Sequence, residues 1–209
     1  MLKQIIKIIC GVVIILSANK TFAATSEITI KELVTGGQEE FHLRILKAIP
    51  ESGQISIGPK DAKNTIIEFF DYKCGYCVKI HPELVELTNE RSDLRVVFIQ
   101  LPILSEMSAK LARLVLAASY QNKGYEIHHA LLTQKGALTE KKINKIIIDS
   151  NIDYERIKKD LERPEIDETL AITSFLASAI GAKGTPALFI NNSFNPGYLP
   201  QSTIKKLLK

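Results

Sequence analysis

The sequence predicts an α/β protein laid out as a β-α-β unit, a block of helices and a β-β-α unit. Three observations carry this. Two short apolar runs, residues 65–70 and 94–101, are rich in Val, Ile and Phe and flank a stretch with helical spacing. Helical periodicity then runs from about residue 105 to 180. Strand character returns at Ala187-Leu188-Phe189-Ile190 and is followed by a turn signal and two aromatics, Phe194 and Tyr198.

The chain opens on a segment that reads as an export signal. Lys3 and Lys7 make a basic start, residues 8–16 are an apolar core, and Thr21 and Ala23 are the small residues a signal peptidase checks, so the cut is placed after Ala23. The apolar core is about half the ~20 residues a membrane span needs. An uncleaved anchor is the competing reading, and the Lys7-Ile8-Ile9 context argues against lipidation of Cys10. Cleavage leaves 186 residues with 24 basic and 23 acidic side chains. That length suits one domain with a good core. No basic run is interleaved with aromatics, so no nucleic-acid partner is expected. Export places the mature chain in an oxidising compartment, the periplasm, where two remaining cysteines can stay or cycle as a disulfide.

Residues 24–54 read as an N-terminal segment, either an oligomerisation arm or a packed extension, which leaves the oligomeric state open. A short helix is expected over 39–46 and ends at Pro50. Ile55-Ser56-Ile57 is a strand candidate stopped by Gly58-Pro59. The 65–70 run reads as a strand buried on both faces. Residues 78–88 have helical spacing, with Pro82 early enough to kink or adjust the first turns. The 94–101 run is a second buried strand, and a β-α-β unit favours a parallel pair. Ser105 is a natural N-cap, with Leu111, Leu114, Val115 and Ala118 on one helix face. Residues 125–132, 139–148 and 153–161 read as shorter helices. Pro164 breaks the chain before a long helix over 165–180, apolar on most sides and therefore expected to be well buried, with Gly181 at its C′ position. Asn191-Asn192-Ser193 turns a hairpin, and residues 202–208 close the chain as a helix.

The chemistry centres on Cys74-Gly75-Tyr76-Cys77, at the junction between the first buried strand and its helix. At a helix opening, the Cys74 sulfur meets free backbone N–H groups and the positive end of the helix dipole, both of which favour thiolate. Cys77 lies one turn further in and is less exposed. Cys74 is therefore the candidate nucleophile and Cys77 the resolving thiol. Gly75 keeps the approach open, and Tyr76 sets what a partner touches. Two other readings compete. A structural disulfide closing so short a loop gains little chain entropy. A metal site would draw on the two cysteines with His42, His81, His128 and His129, but zinc wants four ligands and no second such pair exists. Neither a metal nor a cofactor is expected.

Glu68 stands alone in a run of Ile and Phe. Either it is a buried proton acceptor for Cys77, or it points to a solvated edge. Gly184-Thr185-Pro186-Ala187 places a proline at the start of a strand, a candidate cis peptide.

The two segments Phe69-Phe70-Asp71-Tyr72-Lys73-Cys74-Gly75-Tyr76-Cys77 and Gly184-Thr185-Pro186-Ala187-Leu188-Phe189-Ile190 resemble the DsbA family of exported thiol:disulfide oxidoreductases. The likeness runs from about residue 55 to the C-terminus, and Leu101-Pro102-Ile103-Leu104 brings it closer to the branch of Com1-like and suppressor-of-copper-sensitivity proteins. The resemblance implies a thioredoxin fold over 55–209 with a helical domain inserted at about 105–180. It implies that Cys74 attacks, Cys77 resolves, Pro186 faces them as a cis-proline, Thr185 offers its backbone to an extended substrate, and Glu68 is the buried acid. The implied partners are cysteine-containing secreted or envelope proteins and a membrane redox partner that resets the enzyme. Gly-Tyr between the cysteines and Thr before the proline depart from the strong oxidases and are closer to disulfide isomerases. Copper binding through the same thiols is the alternative from a different class.

Overall fold

The computed structural model describes residues 40–208, so the expected signal peptide, Cys10 and most of the N-terminal segment lie outside the described residues. The chain divides into two compact units after Ala48. In the first, Phe41–Ala48 forms helix α1, with the Arg44 guanidinium over the Phe41 ring.

The second unit holds a five-stranded sheet. Its strands are β1 (Ile55–Ile57), β2 (Asn64–Phe70), β3 (Leu94–Gln100), β4 (Ala187–Ile190) and β5 (Ser193–Pro196), in the spatial order β1-β3-β2-β4-β5. β2 and β3 pair in parallel, as a strand–helix–strand crossover requires. Every other pairing is antiparallel. β2 is central and buried along its whole length, which is why it reads as a continuous apolar run rather than an alternation. Glu68 sits in the middle of it, opposite Phe98 on one side and Leu188 on the other.

Helix α2 (Gly75–Glu90) connects β2 to β3. It begins three residues earlier than its spacing suggests and runs through Pro82 without a break. The early start follows from the Asp71-Tyr72-Lys73 turn, where the Asp71 carbonyl accepts the Cys74 N–H at 3.0 Å. The helical block comprises α3 (Glu106–Ser119), α4 (Gly124–Thr133), α5 (Glu140–Asp149), α6 (Tyr154–Leu161) and α7 (Pro164–Ala179). Three of these helices open on a side chain that satisfies an orphan backbone donor: Ser105, Thr139 and Asp153. Pro164 does not break the chain ahead of α7. It is the first residue inside it, where a missing N–H costs nothing. Nor is α7 buried all round. Ile166, Thr169, Thr173, Leu176 and Ala177 form its inner stripe, while Phe175 is exposed. Two of the inner positions are threonines, so a count of apolar residues misplaces the face. Gly181 closes α7 at φ +78°, with the Ala182 N–H on the Ala177 carbonyl at 2.8 Å.

The β4–β5 hairpin turns at Asn191, which takes φ +49°. Its side chain accepts from the Thr65 N–H at 2.9 Å and donates to Asn64 at 3.0 Å, tying the turn to the start of β2. Tyr198 falls just beyond β5, and helix α8 (Gln201–Leu207) packs on α2 to complete the unit.

Candidate active site

β2 delivers the chain to the site at Phe70, and α2 carries it away. Cys74 is the N-cap of α2, with φ −83° and ψ 115°. Its side chain makes no capping bond, so the sulfur is left for other partners, and it donates to the Thr185 carbonyl at 3.2 Å. Thr185-Pro186 is a cis peptide. Thus the two motifs, 111 residues apart, meet at one atom pair. Cys74 keeps 7% of its surface exposed and Cys77 none. Both are free thiols.

Cys77 faces into the core. Burial pushes its thiol well up from the ordinary value, and the neighbouring Glu68 adds to the rise. The Asp71 backbone N–H pulls it back. Glu68 is fully buried, which rules out a solvated edge. Its carboxyl is held well above the usual carboxylate range, mainly by burial, and the Cys77 thiol offsets part of that. Neither carboxyl oxygen has a hydrogen-bond partner of good geometry among the described residues. A carboxyl whose ionisation burial disfavours, beside a buried thiol, is an arrangement that can exchange a proton.

Asp71 is the residue whose part sequence reasoning missed. It is 1% exposed, yet its carboxylate accepts from three backbone N–H groups: Lys73 at 2.7 Å, Ile103 at 2.9 Å and Leu104 at 2.9 Å. It thereby fastens the turn before Cys74 to the segment after β3. The local half of this, an Asp bonding two residues onward, is legible in a sequence. The long-range half is not.

A second buried polar group lies behind the site. The Tyr72 hydroxyl shares a hydrogen bond with His128 Nδ1 at 3.0 Å and accepts one from Gln100 at 3.2 Å. His81 Nε2 and His129 Nδ1 are 2.9 Å apart. His81 and His128 have ring centroids 4.9 Å apart and are both without exposure. Burial pushes His81 down to about 4 and His128 well below its ordinary value, so both are neutral at pH 7. Among the described residues no group of three His, Cys, Asp or Glu side chains is placed to hold a metal ion.

The solvent side is open. Adding a Cβ at Gly75 would meet nothing within 4 Å. Tyr76 is 60% exposed, and its ring lies 5.7 Å from that of Tyr198. Glu83 holds Tyr198 through the hydroxyl at 2.8 Å and caps α8 at the Gln201 N–H at 3.1 Å. At Thr185 and Pro186 an open trough of about 470 Å³ is lined by Lys183, Thr185, Pro186, Phe194 and Pro196, among others.

A cysteine pair on a helix opening, set against a cis-proline at the mouth of a β-β-α unit, defines a thioredoxin-like protein. The model of the DSBA-like thioredoxin domain matches residues 65–209. The chain belongs to that family, whose members are thiol:disulfide oxidoreductases. The structure of a thioredoxin-like oxidoreductase from Silicibacter pomeroyi is 32% identical and superposes with a TM-score of 0.70, covering 74% of this chain and 90% of that one. The thiol-disulfide exchange protein alpha-DsbA2 of Wolbachia pipientis shares the fold at a TM-score of 0.71 and 24% identity, over 88% of this chain and 95% of that one. A probable disulfide bond formation protein D of Bacillus anthracis is 28% identical over 174 residues, which is 76% of this chain and 80% of that protein. A Na(+)/H(+) antiporter of Salinispora tropica is 26% identical over 145 residues. That match takes in 67% of this chain but only 22% of the antiporter.

Proposed function

We propose that this protein is an exported thiol:disulfide oxidoreductase acting on cysteine-containing secreted or envelope proteins through Cys74 and Cys77. The observation that carries the reading is the contrast between the two sulfurs. Cys74 lies at a helix opening against the Thr185 carbonyl, and Cys77 is sealed behind it next to Glu68.

In the oxidising direction, a substrate thiolate attacks Cys74 Sγ of the Cys74–Cys77 disulfide. The S–S bond breaks, and Cys77 leaves as a thiolate that takes up a proton, for which Glu68 is the neighbouring donor. A second substrate thiolate then attacks the substrate sulfur of the mixed disulfide and releases Cys74. The substrate dithiol loses two electrons and the protein gains them. A membrane redox partner resets the pair, and no cofactor takes part. In the isomerising direction the dithiol form attacks a substrate disulfide through Cys74, and a substrate thiol resolves the intermediate. Thr185, beside Pro186, presents backbone to an extended substrate strand. The export signal ending at Ala23 supports a periplasmic location.

The test is Cys74→Ala in insulin reduction and in refolding of scrambled ribonuclease. Loss of both activities is expected. Activity that survives eliminates this mechanism.

A further inference from the structure

The segment between β5 and α8 makes contacts that no step of the exchange chemistry uses. Pro196-Gly197-Tyr198 forms a strap from the cis-proline loop to α2, and it is held at both ends. At one end the Gly197 N–H donates to the Pro186 carbonyl at 2.9 Å. Gly197 takes φ +104°, a backbone conformation that favours glycine, where the chain leaves β5.

At the other end the Tyr198 side chain is fixed by three partners. Its hydroxyl donates to Glu83 Oε1 at 2.8 Å. The Lys79 ammonium lies 4.2 Å from the centre of its ring. The Tyr76 ring lies 5.7 Å away, tilted by 31°. Tyr76, Lys79 and Glu83 follow one another at helical spacing along α2 and share one face of it. Glu83 is itself oriented, because its second oxygen accepts the Gln201 N–H at 3.1 Å and its carbonyl accepts Gln201 Nε2 at 3.3 Å.

The strap therefore joins the two halves of the site by a route other than the sheet. Tyr76 stands between the two cysteines, in the first turn of the helix that Cys74 caps. Pro186 follows Thr185, whose carbonyl accepts from Cys74 Sγ at 3.2 Å. Tyr198 and the residue before it thus reach both motifs that meet at Cys74. Tyr76 stays 60% exposed in spite of its contact with Tyr198, so the ring is presented to solvent rather than packed as core. A small thiol needs only the Cys74 sulfur. A polypeptide thiol also needs the Thr185 backbone and a surface for the side chains beside its cysteine. A surface fixed in advance costs less ordering entropy when it is used.

We propose that Tyr198 is a positioning residue for polypeptide substrates. It holds the Tyr76 ring, and through Gly197 the Pro186 loop, in the arrangement on which an extended cysteine-bearing strand docks. The inference rests on the exchange reaction proposed above. It concerns which thiols are served fast, not whether exchange occurs.

The test sets two reduced dithiols against the oxidised mature protein in stopped flow: an extended peptide carrying two cysteines, and dithiothreitol. The readout is the ratio of the peptide rate to the dithiothreitol rate. A variant that is partly unfolded slows both reactions together and leaves the ratio unchanged, so a merely structural role does not move it. In Tyr198→Ala, which removes the ring, the ratio should fall about tenfold, well within what misplacement of a docking surface costs. In Tyr198→Phe, which keeps the ring and loses only the bond to Glu83, it should fall roughly threefold. The Phe variant keeps the size of the side chain and decides the matter if the Ala variant does not fold. A ratio unchanged in Tyr198→Ala, or in Tyr198→Phe where that variant alone folds, overturns the proposal and leaves the exchange reaction standing. If the unaltered protein oxidises neither the peptide nor dithiothreitol, the exchange reaction itself fails and this inference with it.

Discussion

At the scale of single residues, the site sets stability against use. Glu68 is a buried acid with unsatisfied oxygens in the middle of a central strand, a placement that costs on the order of 1–3 kcal/mol. Replacing it with Leu should therefore raise the melting temperature while slowing every step in which Cys77 gains or loses a proton. Glu68→Gln isolates the chemistry, since it keeps shape and removes the proton. Trapped mixed disulfide at Cys74 should persist on the order of a hundredfold longer in this variant, as measured by quenched mass spectrometry. Equal lifetimes would remove Glu68 from the mechanism. Asp71 behaves differently, because its three amide partners are themselves backbone of the site. Asp71→Ala leaves those donors unpaired and should cost about 2–4 kcal/mol in denaturant unfolding, with a parallel loss of exchange rate. The sequence exposed Glu68 as an anomaly because a carboxylate among Ile and Phe breaks the local pattern. It offered no such anomaly for Asp71, whose decisive partners Ile103 and Leu104 lie more than thirty positions away.

At the scale of elements, legibility followed how local the physics was. β2 and β3 were plain because strands buried on both faces are apolar along most of their length, as the Ile66-Ile67, Phe69-Phe70 and Val96-Val97-Phe98-Ile99 runs are. The start of α2 was less so, since Cys74 caps it without a side-chain bond and leaves no Ser, Thr, Asp or Asn signature. α7 misled through its threonines. The histidines joining α2 to α4 are the least legible feature, because His81, His128 and His129 are brought together only by packing. They make a pH prediction. Both His81 and His128 are depressed below their unfolded value near 6.5, so the unfolded chain binds protons first and stability falls as pH drops from about 6.5 toward 4. Glu68 acts in the opposite sense. Its folded value is raised, so it favours the folded state at low pH and that contribution is lost as pH rises above about 4.5. The two slopes oppose each other between pH 4.5 and 6.5. Glu68→Gln should steepen the acid-side loss of stability in that window, and His128→Phe should flatten it, as read by urea unfolding across pH. A slope that neither variant changes would show that these groups do not set it. Gly58 gives a purely steric counterpart. It takes φ +85°, and a Cβ there would lie 2.1 Å from the Leu94 carbonyl oxygen. Gly58→Ala should lower the unfolding free energy by about 1–3 kcal/mol without altering the chemistry at Cys74.

At the scale of the whole molecule, the fold brings a β-α-β half and a β-β-α half together so that Cys74 from one meets Thr185 from the other. The helical block interrupts the chain between them, but the sheet is continuous, with β4 pairing directly on β2. That topology was within reach of the sequence because element order alone nearly determines it. The meeting of the two motifs was not, and only the family resemblance anticipated it. What the arrangement achieves is a difference between two cysteines three residues apart, one with a small exposed edge at a helix opening and one fully sealed. The most direct measurement of that difference is capture of a disulfide-bonded model peptide by the single variants Cys77→Ala and Cys74→Ala under native conditions, with the adduct located by mass spectrometry. A mixed disulfide should accumulate on Cys74 in Cys77→Ala, and none should form in Cys74→Ala. Equal capture by Cys77 in Cys74→Ala would contradict the assignment of Cys74 as the reacting sulfur.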